Sequence, residues 1–222
     1  MTPVRGHDVE TDCLPPEPPT LMQVLRANSR WFALAAALFF VSAVVMHLTP
    51  RTGHRLSDAI LDTQMEGLER LIDIIMGLPP VAAALLVFVN NLISMVQMML
   101  LGFIAALSPI LTLCLNGMLV GVVTAMPGLQ GADLLRMVAV TLLPHGIFEL
   151  AAFFLSGGIG LKFGFHVTLA PLPGCTRKQS FKIIWREIWI VMPLLTLLVL
   201  IAAFVEIFVT GQLANRFISP SP

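Results

Sequence analysis

Charged side chains are scarce in this chain: Asp, Glu, Lys and Arg make up 12% of its 222 residues, against about 25% in a soluble globular domain. So little polar surface cannot face water all round, which excludes an ordinary soluble enzyme. The formal net charge is zero, so no basic field is present to gather nucleic acid. Cysteine is confined to Cys13, Cys114 and Cys175. No C-x-x-C or other metal-binding spacing occurs, and an odd count supports neither a disulfide framework nor a catalytic thiol. Cys114 lies in an apolar run, where a free thiol behaves as a small hydrophobe. Phosphate-cradling GxxxxGK[ST], GxSxG and HExxH are all missing. Neither an enzyme nor a cofactor is expected.

What the chain does have is apolar length. Hydrophobic residues reach 57% and the mean hydropathy is +0.88, so lipid must supply much of the solvent. The expected fold is an all-α membrane protein, a polytopic bundle of about five transmembrane helices with one amphipathic extracytoplasmic helix. Residues 1–29 form a cytoplasmic tail, Pro-rich and acidic, that lacks the apolar area to offset its ordering entropy. The membrane domain covers 30–210, and 211–222 make a short outer tail. The first span, 31–48, resembles a signal peptide in following Arg26 and Arg30. Its full length and the missing small-x-small cleavage site make it an uncleaved helix with Trp31 at the interface.

Between 55 and 77, Leu56, Ile60, Leu61, Leu68, Leu71, Ile72 and Ile75 recur at helical spacing among Asp58, Asp62, Glu66, Glu69 and Asp73. That pattern is an amphipathic helix, and its acidic face is wrong for docking on anionic headgroups. From Pro80 to Met126 no side chain is charged. The run is too long for one span and suits two, divided near Ser108-Pro109 into 81–106 and 109–126. A fourth span is expected over 133–158, closed by the glycines Gly157 and Gly158, and a fifth over 188–209. Five spans place the termini on opposite sides. Eight Lys and Arg fall on the N-terminal side and five on the other, which puts the N-terminus in the cytoplasm and the C-terminus outside the plasma membrane.

Polar groups inside spans are costly and become functional suspects. They are Asn90, Asn91, Asn116, His145, Glu149 and Glu206. His145 and Glu149 are four apart, on one helix face. Pro144 frees a backbone carbonyl beside them, and Gly146 is expected to admit another helix closely. The group is either a proton, cation or solute site, or a set of interhelical hydrogen bonds. Asn116-Gly117 repeats the pairing of an amide with a small residue. Glu206 is expected to reach water at the end of span five. No metal site is expected, since His145 and Glu149 are two ligands and at least three are needed. Lys178, Lys182 and Arg186 form an i, i+4, i+8 stripe, suited to anionic inner-leaflet lipids or a cytoplasmic partner.

Asn90-Asn91, Asn116-Gly117 with Gly121, Pro144-His145-Gly146-Ile147-Phe148-Glu149-Leu150 and Gly157-Gly158 occur in an order and spacing that resembles the stage II sporulation protein M family over about residues 30–210. The resemblance implies a five-span membrane protein. In endospore formers, the namesake works with septal peptidoglycan-degrading proteins during engulfment. The acidic Pro-rich tail and the amphipathic helix depart from that sporulation type, so the architecture and polar positions carry over rather than the role. The expected function is a non-enzymatic scaffold that recruits membrane or envelope proteins. The alternative is a transport-type protein with a path beside His145 and Glu149. Besides the lipid bilayer, a homodimer is a candidate partner.

Overall fold

The computed structural model describes Cys13 and residues 17–49, 55–125 and 131–210. Of the expected disordered tail 1–29, residues up to 16 (Cys13 apart) lie outside the described residues, as do 126–130 and the outer tail 211–222. Leu21–Ala27, by contrast, form a helix with Val24 buried, because a capping box starts it and the helix Arg177–Val205 packs on it. Among those described there is no strand. Eight α-helices follow in order: α1 Leu21–Ala27, α2 Ser29–Leu48, α3 Arg55–Met76, α4 Pro80–Leu100, α5 Leu107–Thr124, α6 Ala132–Met137, α7 Leu143–Gly164 and α8 Arg177–Val205. Five stretches are long and apolar enough to cross a membrane: Ser29–Leu48, Pro80–Phe103, Leu107–Thr124, Leu143–Leu169 and Arg177–Thr210. The protein is an all-α membrane protein.

Local chemistry accounts for several boundaries. Thr20 and Thr176 each accept from the backbone N–H three residues on, and Gln23 and Gln179 reach back to the cap N–H. These reciprocal bonds are capping boxes, which satisfy otherwise orphaned donors. The second box extends span five. Its helix starts at Arg177 rather than near 188, so the basic stripe forms its first turns and not a separate segment. The division between α4 and α5 also moves. Instead of breaking at Ser108-Pro109, the chain turns through a 3-10 segment, Leu101–Phe103, and through Ala105 and Ala106 with φ of 49° and 58°. Pro109 then falls in the first turn of α5, where its missing N–H costs nothing.

Lipid tails are as apolar as leucine, so helices in a bilayer are drawn together by close packing more than by the hydrophobic effect. Glycine provides that closeness here. Gly117 lies against the carbonyl of Phe39 and Gly121 against that of Ala43, locking α5 onto α2. Gly158 packs on Trp31 and Phe32, Gly160 on the backbone of Met98, and Gly164 on Gly102 and Ala106. The glycines that were expected to close the fourth span are therefore its packing surface. The helix continues through them to Gly164, and a π-helical turn carries it to Leu169. As a result α7 is the central helix: 61% of its apolar window is buried, against 33% or less for the other spans.

Candidate functional site

Pro144 has no N–H to donate, which disturbs the α-helical ladder one turn earlier. The structure absorbs this in a π-helical turn, Val138–Leu142, in which the N–H of Leu143 reaches the carbonyl of Val138. Just beyond it, His145 and Glu149 project from one face of α7, with Nε2 3.9 Å from Glu149 Oε2. That separation is too long for a hydrogen bond. Asn91 on α4 donates from Nδ2 to Glu149 Oε1 at 3.2 Å, and Asn90 donates to Asn91 Oδ1 at 3.4 Å.

The sequence placed Glu206 at a wet helix end, but the fold turns it inward. A third π-helical turn, Glu206–Thr210, ends α8. It brings Glu206 close enough that ligand atoms of His145, Glu149 and Glu206 all lie within 4.8 Å of one another. From the same turn, Thr210 Oγ1 lies 3.2 Å from His145 Nδ1. The third ligand that the sequence lacked comes from another helix, 57 residues beyond Glu149 by number.

His145 and Glu149 line a cavity of about 280 Å³ between α4, α5 and α7, together with Asn90, Asn91, Ser94, Thr112, Asn116 and Gly146. Here two expectations change. Gly146 admits no neighbouring helix, since nothing lies within 4 Å of where its Cβ would be; it keeps the cavity open instead. Asn116 does not join the His145–Glu149 group. Its Nδ2 donates to the Thr112 carbonyl on its own helix, and it lines the same cavity from α5. Each of the three helices thus brings polar groups to a cavity that Phe39, Met95, Leu119 and Phe153 also line.

A second polar cluster escaped the sequence reading. Lys162, counted there as a surface charge, is buried inside α7. Its Nζ donates to Glu187 Oε1 at 2.8 Å and Oε2 at 2.6 Å. Asn28 donates to Glu187 Oε2 at 3.2 Å, while its own Oδ1 is buried with no partner. The signal was present. Lys162 is the only cation in α7 and Glu187 the only acid in α8, and a lone charge in an apolar helix calls for a partner. Of the basic stripe, Lys178 and Lys182 are exposed and Arg186 is half-buried; the Phe181 and Trp185 rings stack beside them at 5.9 Å. Cys13 and Cys175 form a disulfide, contrary to the expectation of none. The odd count reflects Cys114, which stays free.

An uncharacterized protein of the archaeon Methanocaldococcus jannaschii is 31% identical over 134 residues, which is 60% of this chain and 74% of that protein. No solved structure matches. Residues 32–211 match the family model for stage II sporulation protein M, from the first turn of α2 to just past the Glu206–Thr210 turn. Most of the chain, including His145, Glu149, Glu206, Lys162 and Glu187 but not Asn28, lies within that match, and the chain belongs to the stage II sporulation protein M family.

Proposed function

We propose that this protein is of transport type, binding a small polar or cationic solute in the cavity between α4, α5 and α7. The observation that carries the reading is the position of Glu149. It is fixed by Asn91 yet a third exposed, and it faces about 280 Å³ of space rather than packed side chains. A carboxylate kept only as interhelical glue would be enclosed. Intramembrane ionisable groups beside water-sized space are the usual company of solute and ion paths. No bond-making step is assigned to the site. The proposed setting is the plasma membrane with the N-terminus inside. The support is the Lys/Arg imbalance, which stands at seven against five once the neutralised Lys162 is set aside.

The test is solute flux in proteoliposomes reconstituted with the full chain. His145→Ala and Glu149→Gln should abolish flux while leaving the helical content intact. Wild-type flux in both variants would remove the reading.

A scaffold role has its own support in α3. This helix exposes Glu66, Glu69 and Asp73 on one face, with Ile72 and Ile74, about 200° apart around the axis, flanking it, an acidic surface available to a partner protein. Deleting 55–77 should then abolish cross-linking to envelope proteins without altering flux. Unchanged cross-links would end that role.

A further inference from the structure

We infer that His145, Glu149 and Glu206 together form a binding site for a divalent first-row transition cation such as Zn2+. This inference rests on the transport reading and deepens it, because it names the substrate class.

The donor set selects the ion. One imidazole nitrogen and two carboxylates suit zinc, manganese, iron or cobalt, whereas calcium prefers six to eight oxygens. Two donors held about 2.1 Å from a tetrahedral ion lie about 3.4 Å apart. The present spread, 3.9 Å between His145 and Glu149 and at most 4.8 Å across the three, is wider than that by about 0.5 to 1.4 Å. Three protein ligands leave a fourth position free, the mark of sites that exchange a ligand rather than of closed structural ones.

Three independent features support the assignment. The first is the supporting shell. Thr210 engages His145 Nδ1, which leaves Nε2 to face Glu149, and Asn91 holds Glu149 Oε1, leaving Oε2 free. Hydrogen bonds of this kind orient metal ligands and set the imidazole tautomer. The second is access, through the adjoining cavity that His145 and Glu149 line. The third is backbone irregularity. Each ligand helix carries a π-helical turn at the site, Val138–Leu142 before His145 and Glu206–Thr210 at the third ligand, and such turns concentrate at functional sites. Electrostatics adds a reason. Two carboxylates so close in a weakly polar medium repel strongly if both are charged, and either a proton or a shared dication offsets that repulsion.

The experiment uses the full chain in lipid nanodiscs, freed of metal and titrated with Co2+ while its visible absorption is followed. One Co2+ per chain should bind, displaced by Zn2+. His145→Ala, Glu149→Gln and Glu206→Gln should each weaken binding by about 100-fold, and Asn91→Ala by about tenfold. His145→Cys should keep the metal and add a thiolate-to-cobalt charge-transfer band, which a structural role for this position would not produce. Absence of Co2+ binding by the folded chain overturns the inference. So does binding that survives Glu206→Gln and His145→Ala. Zn2+ flux in proteoliposomes separates this inference from the reading beneath it. Binding without flux leaves the site and ends the transport reading; flux of another solute, indifferent to Glu206→Gln, does the reverse.

Discussion

The bundle holds two clusters of ionisable groups, one toward each end of α7, and they are built on opposite plans. Near its C-terminal end, Lys162 and Glu187 meet at hydrogen-bonding distance. Both carboxylate oxygens are used, and the two side chains are 7% and 9% exposed. Near its N-terminal end, His145 and Glu149 stand 3.9 Å apart beside a cavity, with Glu206 facing them. The glycines follow the same division. Gly160 and Gly164 are pressed on neighbouring backbone, while Gly146 looks onto empty space. One end pairs its two charges with each other, leaving only Asn28 Oδ1 without a partner, and the other leaves ionisable groups beside open space. A charged residue inside a span is therefore not by itself a functional residue; what matters is whether its partners exhaust its bonding capacity.

Breaking the closed cluster should have the largest effect. Lys162→Met strands a buried carboxylate and should cost about 3–5 kcal/mol in a reversible detergent unfolding titration. Lys162→Met with Glu187→Leu removes both charges and should recover most of that loss. If the double variant is no better than the single, the pair is not the self-contained unit described here.

The glycine contrast ranks next. A Cβ at Gly164 meets the backbone of Ala106 and Gly102, atoms that cannot step aside. Gly164→Ala should therefore lose about 1–3 kcal/mol, the usual cost of overpacking. Gly146→Ala has free space and should gain about 0.5–1 kcal/mol from helix propensity. Equal effects at both positions in paired thermal melts would erase the distinction between a packed and an open end.

At the open cluster, Glu206→Gln should change stability by under about 1 kcal/mol, since an amide retains the shape and most hydrogen-bonding capacity of the carboxyl. Its loss should appear in metal binding and flux instead. A large destabilisation would move Glu206 into the structural class.

The disulfide should matter least. It links Cys13 to Cys175 across a loop that contains the first four spans. Those spans stay threaded through the bilayer when tertiary packing is lost, so the cross-link has little chain entropy left to remove. Cys13→Ser should shift stability by under about 1 kcal/mol. The same cysteines report sidedness. With the N-terminus inside, a reducing cytosol keeps the pair as thiols, so a membrane-impermeant maleimide should label them without added reductant, and only in permeabilised cells. Labelling of intact cells would invert the orientation.

The number and rough limits of the spans were legible because hydropathy is a local property. A stretch of about 46 residues without charge, Val81 to Met126, has to cross twice wherever its neighbours sit. The amphipathic helix was legible for the same reason: its period is written in consecutive residues and reappears as α3. His145 and Glu149 were found as a pair because helical geometry alone brings i and i+4 together. Boundaries set by packing were misread. Gly157 and Gly158 read as a helix end because glycine is a poor helix former, yet in the bundle their missing side chains let α7 sit against α2 and α5.

Whatever joins distant residues belonged to the tertiary structure. Glu187 finds Lys162 across two helices, Cys13 finds Cys175, and the turn ending α8 brings Glu206 to His145. Each depends on the rotation and depth of one helix against another. Composition and periodicity fix which face of a helix is apolar, but in lipid nearly every face is apolar and the pattern no longer selects a neighbour. Sequence alone thus determined that the protein is an all-α membrane protein, how many of its stretches are long and apolar enough to cross a bilayer and which side chains are out of place there. Only close packing at glycines set the helix depths, and those depths decided which misplaced charges are paired and which stand open.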